Sequence, residues 1–204
     1  GSSSKNNVIV GCLFENNTVR GRGNQNTRGG GAIYWSEGGS FGVIRDSNFT
    51  NNSAVTNNKA DGGAILWDAN TDCTIDNCIF DANYVTSTGT TWVQGGSIYF
   101  RSNRVNITNS VFKNCWSQKE GGALYVCNDK NTPLTKDFVI ENVKFINNTA
   151  KAEKTSGTDQ DWGGGAVLVK QVGSVWFINV TFENNTANRG GAVSLLKPTK
   201  NDLN

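Results

Sequence analysis

"GGGAIYW" (residues 29–35) decides the fold. Glycine weakens a strand and marks a bend or a close backbone approach. Here three glycines run straight into large apolar residues. The box returns at Gly62-Gly63, Gly95-Gly96, Gly121-Gly122, Gly164-Gly165 and Gly190-Gly191. A short apolar run follows each time: AILW, SIYF, ALYV, AVLV, AVSL. Self-similarity at a near-fixed period is the signature of repeat architecture.

A second box lies between the glycines. Its Phe recurs at 14, 49, 80, 112, 145 and 182, with spacings of 35, 31, 32, 33 and 37 residues. Five residues before it stand Ile9, Ile44, Ile75, Ile107, Ile140 and Phe177. Seven before stand Gly42, Cys73, Val105, Phe138 and Val175, with more mixed residues between the two columns. This alternation is that of a strand with one buried face. Three after the Phe come Asn17, Asn52, Asn83, Cys115, Asn148 and Asn185. Three before it come Gly11, Asp46, Asn77, Asn109, Asn142 and Asn179. Both sets read as amides at a chain bend, where Asn mimics backbone and tolerates unusual dihedrals. Stacked amides also hydrogen-bond to their copies above and below.

These periods predict an all-β parallel β-helix with three short strands per rung and about five full rungs flanked by half rungs. At about 4.8 Å per rung the stack is roughly 25–30 Å long. Ile33, Ile65, Ile98, Leu124, Val167 and Val193 form one buried column; Trp35, Trp67, Phe100, Val126, Val169 and Leu195 form the next. The intervening Ala and Tyr positions face outward. Paired-helix solenoids are excluded by the Gly and Asn content, a leucine-rich horseshoe by the missing leucine ladder, and a propeller by repeat length. Gly1–Ser4 (GSSS) reads as an expression scar, and 5–204 as a single β-helix domain cut from a longer solenoid. Its strand edges leave room for end-to-end self-stacking.

Composition narrows the function. The 204 residues carry a net charge of +2 and no His, which removes the commonest general base and metal ligand. The charge gives no footprint for nucleic acid, and no apolar run is long enough to insert in a membrane. No cofactor is expected. Five cysteines leave at least one thiol without an intrachain partner. Cys12 and Cys78 share a column two rungs apart, about 10 Å by rung spacing, beyond disulfide reach. Cys73, Cys115 and Cys127 lack metal-ligand spacing.

Paired GGA-[ILV] and F-x-x-N boxes resemble the repeats of chlamydial polymorphic outer-membrane proteins. The Asn-rich style of "VTFENNTANRGGAV" also looks like the adhesin-like surface proteins of methanogenic archaea. The resemblance spans residues 5 to 196. Ser97 departs from the Ala of one box; Ala82 and Cys115 depart from Asn. The resemblance implies a right-handed β-helix displayed outside the cell, at its surface, and associated with attachment. It carries no catalytic residues.

The most variable stretches are 20–28, 55–61, 86–94, 118–120, 151–163 and 188–189, all leaving at one corner. A second insertion, 128–137, leaves at another. Loops on a rigid scaffold are where binding sits. Tyr84, Trp92, Tyr99, Trp116, Tyr125 and Trp162 lie on or beside this edge and are the candidate ligand-binding residues. Two readings stay open: rings that dock a sugar or protein, or rings covered by loops in a small second core. Sequons at Asn16, Asn48, Asn51, Asn106, Asn147, Asn179 and Asn184 are either glycosylation acceptors or by-products of the N-N-T corner. "NTD" at Asn70–Asp72 is similar to a pectinase acid motif, but no paired Asp-Asp and no Gly-His-Gly follow. Asp68, Asp72 and Asp76 crowd one corner, as do Asp159 and Asp161 in the longest loop; neither run has the ligand density of a calcium loop. The leading expectation is a non-catalytic cell-surface adhesin segment whose loops meet a host or microbial surface glycan or protein. A polysaccharide-active β-helix enzyme and a stalk that binds nothing are the rivals.

Overall fold

The computed structural model describes residues 6–21, 29–35, 41–68, 72–89, 92–101, 104–127, 137–151, 163–170 and 174–196. Every regular element among them is a strand, and every strand pairing is parallel. Three sheets hold six strands each. The chain is a parallel β-helix of about four turns, close to the five rungs expected.

One layer shows how the wall is made. Gly42–Arg45 belongs to the first sheet and Asn48–Thr50 to the Phe sheet. Ser53–Thr56 follows in a five-stranded corner sheet, and Ile65–Trp67 in the sheet after the glycines. Each layer thus has four paired columns rather than three. The extra one arises because stretches read as insertions start inside the wall: Ser53–Thr56 pairs with Tyr84–Ser87 residue for residue. A two-stranded sheet, Ala60–Asp61 on Val93–Gln94, occupies the same stretches further on.

Register is set by the Phe column. Phe49 pairs with Phe14 and Phe80, and Phe80 with Phe112. Ring centroids repeat at 4.7, 4.7, 4.5, 5.1 and 5.2 Å, the strand spacing of a sheet. A one-residue slip would turn all six rings to the surface. Ile44, Ile75, Ile107 and Ile140 are buried against them in the central core.

The two glycines of each box have separate jobs. Gly62 takes φ +67°, a left-handed bend that an L side chain rarely adopts. Gly63 has no positive φ. A methyl group there would penetrate the carbonyl oxygen of Gly96 in the next layer and crowd the backbone of Tyr84. Five of the six second glycines meet the neighbouring layer's box in this way. The opening box therefore starts with a turn and a close approach, and only then becomes strand.

The amides divide differently from the sequence expectation. The left-handed bend after each Phe falls on Asn16, Asn51, Ala82, Asn114, Asn147 and Asn184, with φ from 51° to 58°. The following residue points inward. Asn52 lies fully buried, donating through Nδ2 to the Phe14 carbonyl (2.9 Å) and to Asn83 Oδ1 (3.1 Å). Its own Oδ1 accepts from the Asn17 amide, backbone and side chain. Asn148 repeats the pattern with Phe112 and Asn185. The residues three before Phe do sit at a bend, from Gly11 (φ 63°) to Asn179 (φ 50°).

Cys115 interrupts the inner ladder, and Ser97 sits beside it. The Ser97 hydroxyl lies within hydrogen-bond reach of Asn83 Nδ2 (3.5 Å) and of the Cys115 thiol. Two separate departures in the sequence are thus one contact in space.

The outward column after the glycines is covered. Leu66, Tyr99, Tyr125 and Leu168 point away from the central core, yet they are buried in a second cluster with Cys127. Tyr34, in the first layer, is exposed. The alternating Ala positions turn inward instead: Ala64, Ala123 and Ala166 belong to the central core.

Candidate functional site

The corner sheet positions the central aromatic pair. Tyr84 and Trp116 occupy equivalent positions on adjacent strands. Their rings stack at 4.9 Å and 5°. Lys151 Nζ lies 3.9 Å from the Trp116 ring centroid, a cation–π contact. The two rings use a face each on one another, and Lys151 covers the other face of Trp116. The pair is half-buried.

Trp92 is placed differently. It precedes Val93–Gln94, its carbonyl accepts from Ala60 N–H (3.0 Å), and its side chain is 46% exposed. Lys170 Nζ, at the end of the strand Val167–Lys170, lies 5.7 Å from its ring centroid. Tyr99 and Tyr125 stack at 5.3 Å inside the second cluster, only 2% and 3% exposed. The Tyr99 hydroxyl is 3.0 Å from Cys127 Sγ. Trp162 lies outside the described residues, as do Asp159 and Asp161. The structure therefore brings Tyr84 to Trp116 and Tyr99 to Tyr125. Of the described candidates, Trp92 presents the most open aromatic surface. The sequence reading missed Lys151 and Lys170; Lys151 stands two residues past Thr149, in register with the corner column, which was the available signal.

The outward carboxylates are held across layers. Asp68 accepts a forked pair from the Arg101 guanidinium. Asp72 lies 3.5 Å from Arg104. Asp76 Oδ1 accepts from Thr108 Oγ1 (2.5 Å) and Asn109 Nδ2 (2.7 Å), while Asp81 meets Lys113 (3.1 Å) and Asn114 (2.8 Å). Each bond joins neighbouring layers, so these groups fasten the wall. Among the described residues no group of three or more His, Cys, Asp or Glu side chains is placed to hold a metal ion.

The sequons fall into two environments. Asn16, Asn51, Asn147 and Asn184 stand exposed at one left-handed bend, and Asn179 at the other. Asn51 Nδ2 donates to Asn16 Oδ1 (2.8 Å) and Asn179 Nδ2 to Asn142 Oδ1 (2.8 Å), so three of these sequon amides, Asn16, Asn51 and Asn179, serve ladders. Asn48 and Asn106 lie within strands. All five cysteines are free thiols. Burial pushes Cys78 up to about 11 and Cys115 up to about 12, and raises Cys73 as well.

Comparison with known proteins finds no matching curated protein and no matching solved structure. One family model matches: the Chlamydia polymorphic membrane protein (Chlamydia_PMP) repeat, at residues 11–34 and 179–195. Each matched stretch runs from the bend before a Phe, through the inner Asn, to the strand after a glycine pair. At both of these places the chain is similar to the chlamydial polymorphic membrane protein repeat.

Proposed function

We propose that this chain is a non-catalytic segment of a cell-surface adhesin. Its β-helix is a rigid wall, and one loop-lined edge meets a surface glycan or protein of another cell. The observation that carries this reading is the surface-protein repeat, matched on two layers of a single ladder-locked stack. A wall held by ring stacks and buried amides suits a spacer that must keep its shape outside the cell. Trp92 supplies a contact that the other described candidates do not offer: an open indole with Lys170 near its face. Rings of this kind dock sugar faces and protein partners. Localisation is extracellular on this reading, with no nucleic acid bound and no insertion in the bilayer by these residues.

Binding of the purified chain to arrays of host-cell and microbial glycans, and to whole cells, tests it. Binding that Trp92→Ala weakens tenfold or more, with unchanged thermal unfolding, supports the proposal. Trp116→Ala should weaken binding less, because its ring faces are already occupied. No binding by the unmutated chain favours the plain stalk. Depolymerisation of a polysaccharide would overturn the non-catalytic assignment.

A further inference from the structure

The charges of the wall are sorted by face. On the first sheet and the Phe sheet, carboxylates such as Asp46, Asp76 and Glu141 stand among cations such as Arg45, Lys113 and Lys144, and none of these is buried. The edge between the inner Asn and the glycine pair is different. Among its described residues the charges open to solvent, fully or in part, are all cationic: Arg20, Lys59, Lys119, Lys151 and Arg189. Its two carboxylates are buried, Asp61 at 2% and Glu120 at 6% exposure. Glu120 Oε2 accepts from Gln94 Nε2 (2.7 Å) in the neighbouring layer. A ligand that approaches this edge therefore meets positive charge.

The cations of the inner layers gather about Trp92. Val93 pairs with Ala60, and the Trp92 carbonyl accepts from Ala60 N–H, which puts Trp92 in register with Lys59. Ala60 and Val93 are fully buried. Successive side chains along extended chain point to opposite faces, so Lys59 and Trp92 leave on the same, outer side. Gln94 bridges to Glu120, which brings Lys119 onto the next layer beside Val93. Lys170 Nζ completes the group, near the Trp92 ring face. One open indole thus has lysines on the layers to either side of it and a further ammonium beside its ring.

The two kinds of group ask for different things of a ligand. The indole offers an apolar face on which the C–H face of a sugar ring packs. Each ammonium is a compact point charge that pairs with a carboxylate or sulfate. An acidic peptide would satisfy the lysines without covering the indole, and a neutral sugar would cover the indole without pairing the lysines. Resting on the adhesin reading above, we infer that this edge binds an acidic polysaccharide, with a sugar ring seated on Trp92 and its anionic groups held by Lys59, Lys119 and Lys170. Attraction between exposed charges is screened by salt, whereas ring contact is not, so the two contributions are separable.

Calorimetric titration with polygalacturonate, dextran sulfate, uncharged dextran and poly-glutamate, at low and at high salt, tests this. The unmutated chain should bind at least one of the acidic polysaccharides tenfold or more tightly than dextran, and lose most of that preference at high salt. The two acidic probes separate carboxylate from sulfate recognition. Lys59→Gln, Lys119→Gln and Lys170→Gln together should weaken binding at least tenfold and flatten the salt dependence, with thermal unfolding unchanged. Trp92→Ala should weaken it at either salt. Lys144→Gln, at an exposed cation of the Phe sheet, should leave it as it is. Dextran bound as tightly as the acidic chains overturns the inference, and poly-glutamate bound as tightly replaces the glycan with an acidic protein. A chain that binds neutral glycans or whole cells but neither acidic polysaccharide also overturns it, while leaving the adhesin reading in place. A chain that binds nothing at all removes both.

Discussion

The Phe column and the Trp35–Leu195 column line the same interior and fill it in opposite ways. The Phe column places one residue type in all six layers, and each ring repeats its neighbour. The other column tapers. Trp35, Trp67 and Phe100 give way to Val126 and Val169, while the first sheet runs the other way, from Gly42 and Cys73 to Val105 and Phe138. The two trends are coupled by contact. A methyl group on Gly42 would strike the Trp67 and Trp35 rings, and Phe100 meets Phe138 edge to face at 5.9 Å. Interiors pack to crystal-like density, so a bulky residue in one column requires a small one opposite. A solenoid can therefore vary one column freely, provided a second column compensates.

The uniform column should be the less forgiving. Phe80→Ala removes a fully buried ring between two stacked neighbours, and an expected loss of about 3–5 kcal/mol follows. Urea unfolding measures it. Gly42→Val overpacks the Trp67 ring and should cost about 3 kcal/mol. Trp67→Val in the same chain copies the Val105 and Val126 pairing of another layer. It should return more than half of that loss, whereas strict additivity would mean that the two columns do not compensate.

A third test asks whether the irregular thiol positions are as dry as the regular ones. The Cys73, Cys78 and Cys115 thiols have an ordinary value of 9.0, and burial raises each in the fold. Above pH 9 the unfolded chain releases protons that the folded chain keeps. Their contribution is fully present below that pH and is lost as pH rises toward about 11 to 12. Thermal unfolding should thus fall more steeply above pH 9 than in a chain with all three replaced by Ala. Equal slopes would place these thiols in contact with water. The smallest effect is a gain. Cys115→Asn restores the missing rung of the amide ladder and should stabilise by about 1 kcal/mol. Adding Ser97→Ala, the residue usual in that box, should keep the gain.

Much of this was legible in the sequence, because a solenoid writes its contacts as columns. The Phe register, the buried Ile columns and the glycine pairs follow from alignment alone. The inner Asn column was assigned to a bend, although Cys115 within it already marked an interior position. The fourth strand column was hidden because Ser53–Thr56 and Tyr84–Ser87 lie where the layers begin to differ in length. The coupling of Gly42 to Trp67 was invisible for a different reason. Alignment relates equivalent positions and says nothing about which columns face each other. The candidate site was the least legible. Outward-pointing Tyr99 and Trp92 look alike in sequence, yet one is covered and the other open.

Ring-to-ring nuclear Overhauser contacts in a chain with isotope-labelled Phe test the central claim most directly. The account predicts cross-peaks from Phe49 to Phe14 and to Phe80, whose ring centroids both lie 4.7 Å away, and none from Phe49 to Phe112, two layers off. A strong Phe49–Phe112 cross-peak, or silence between Phe49 and Phe80, would contradict it.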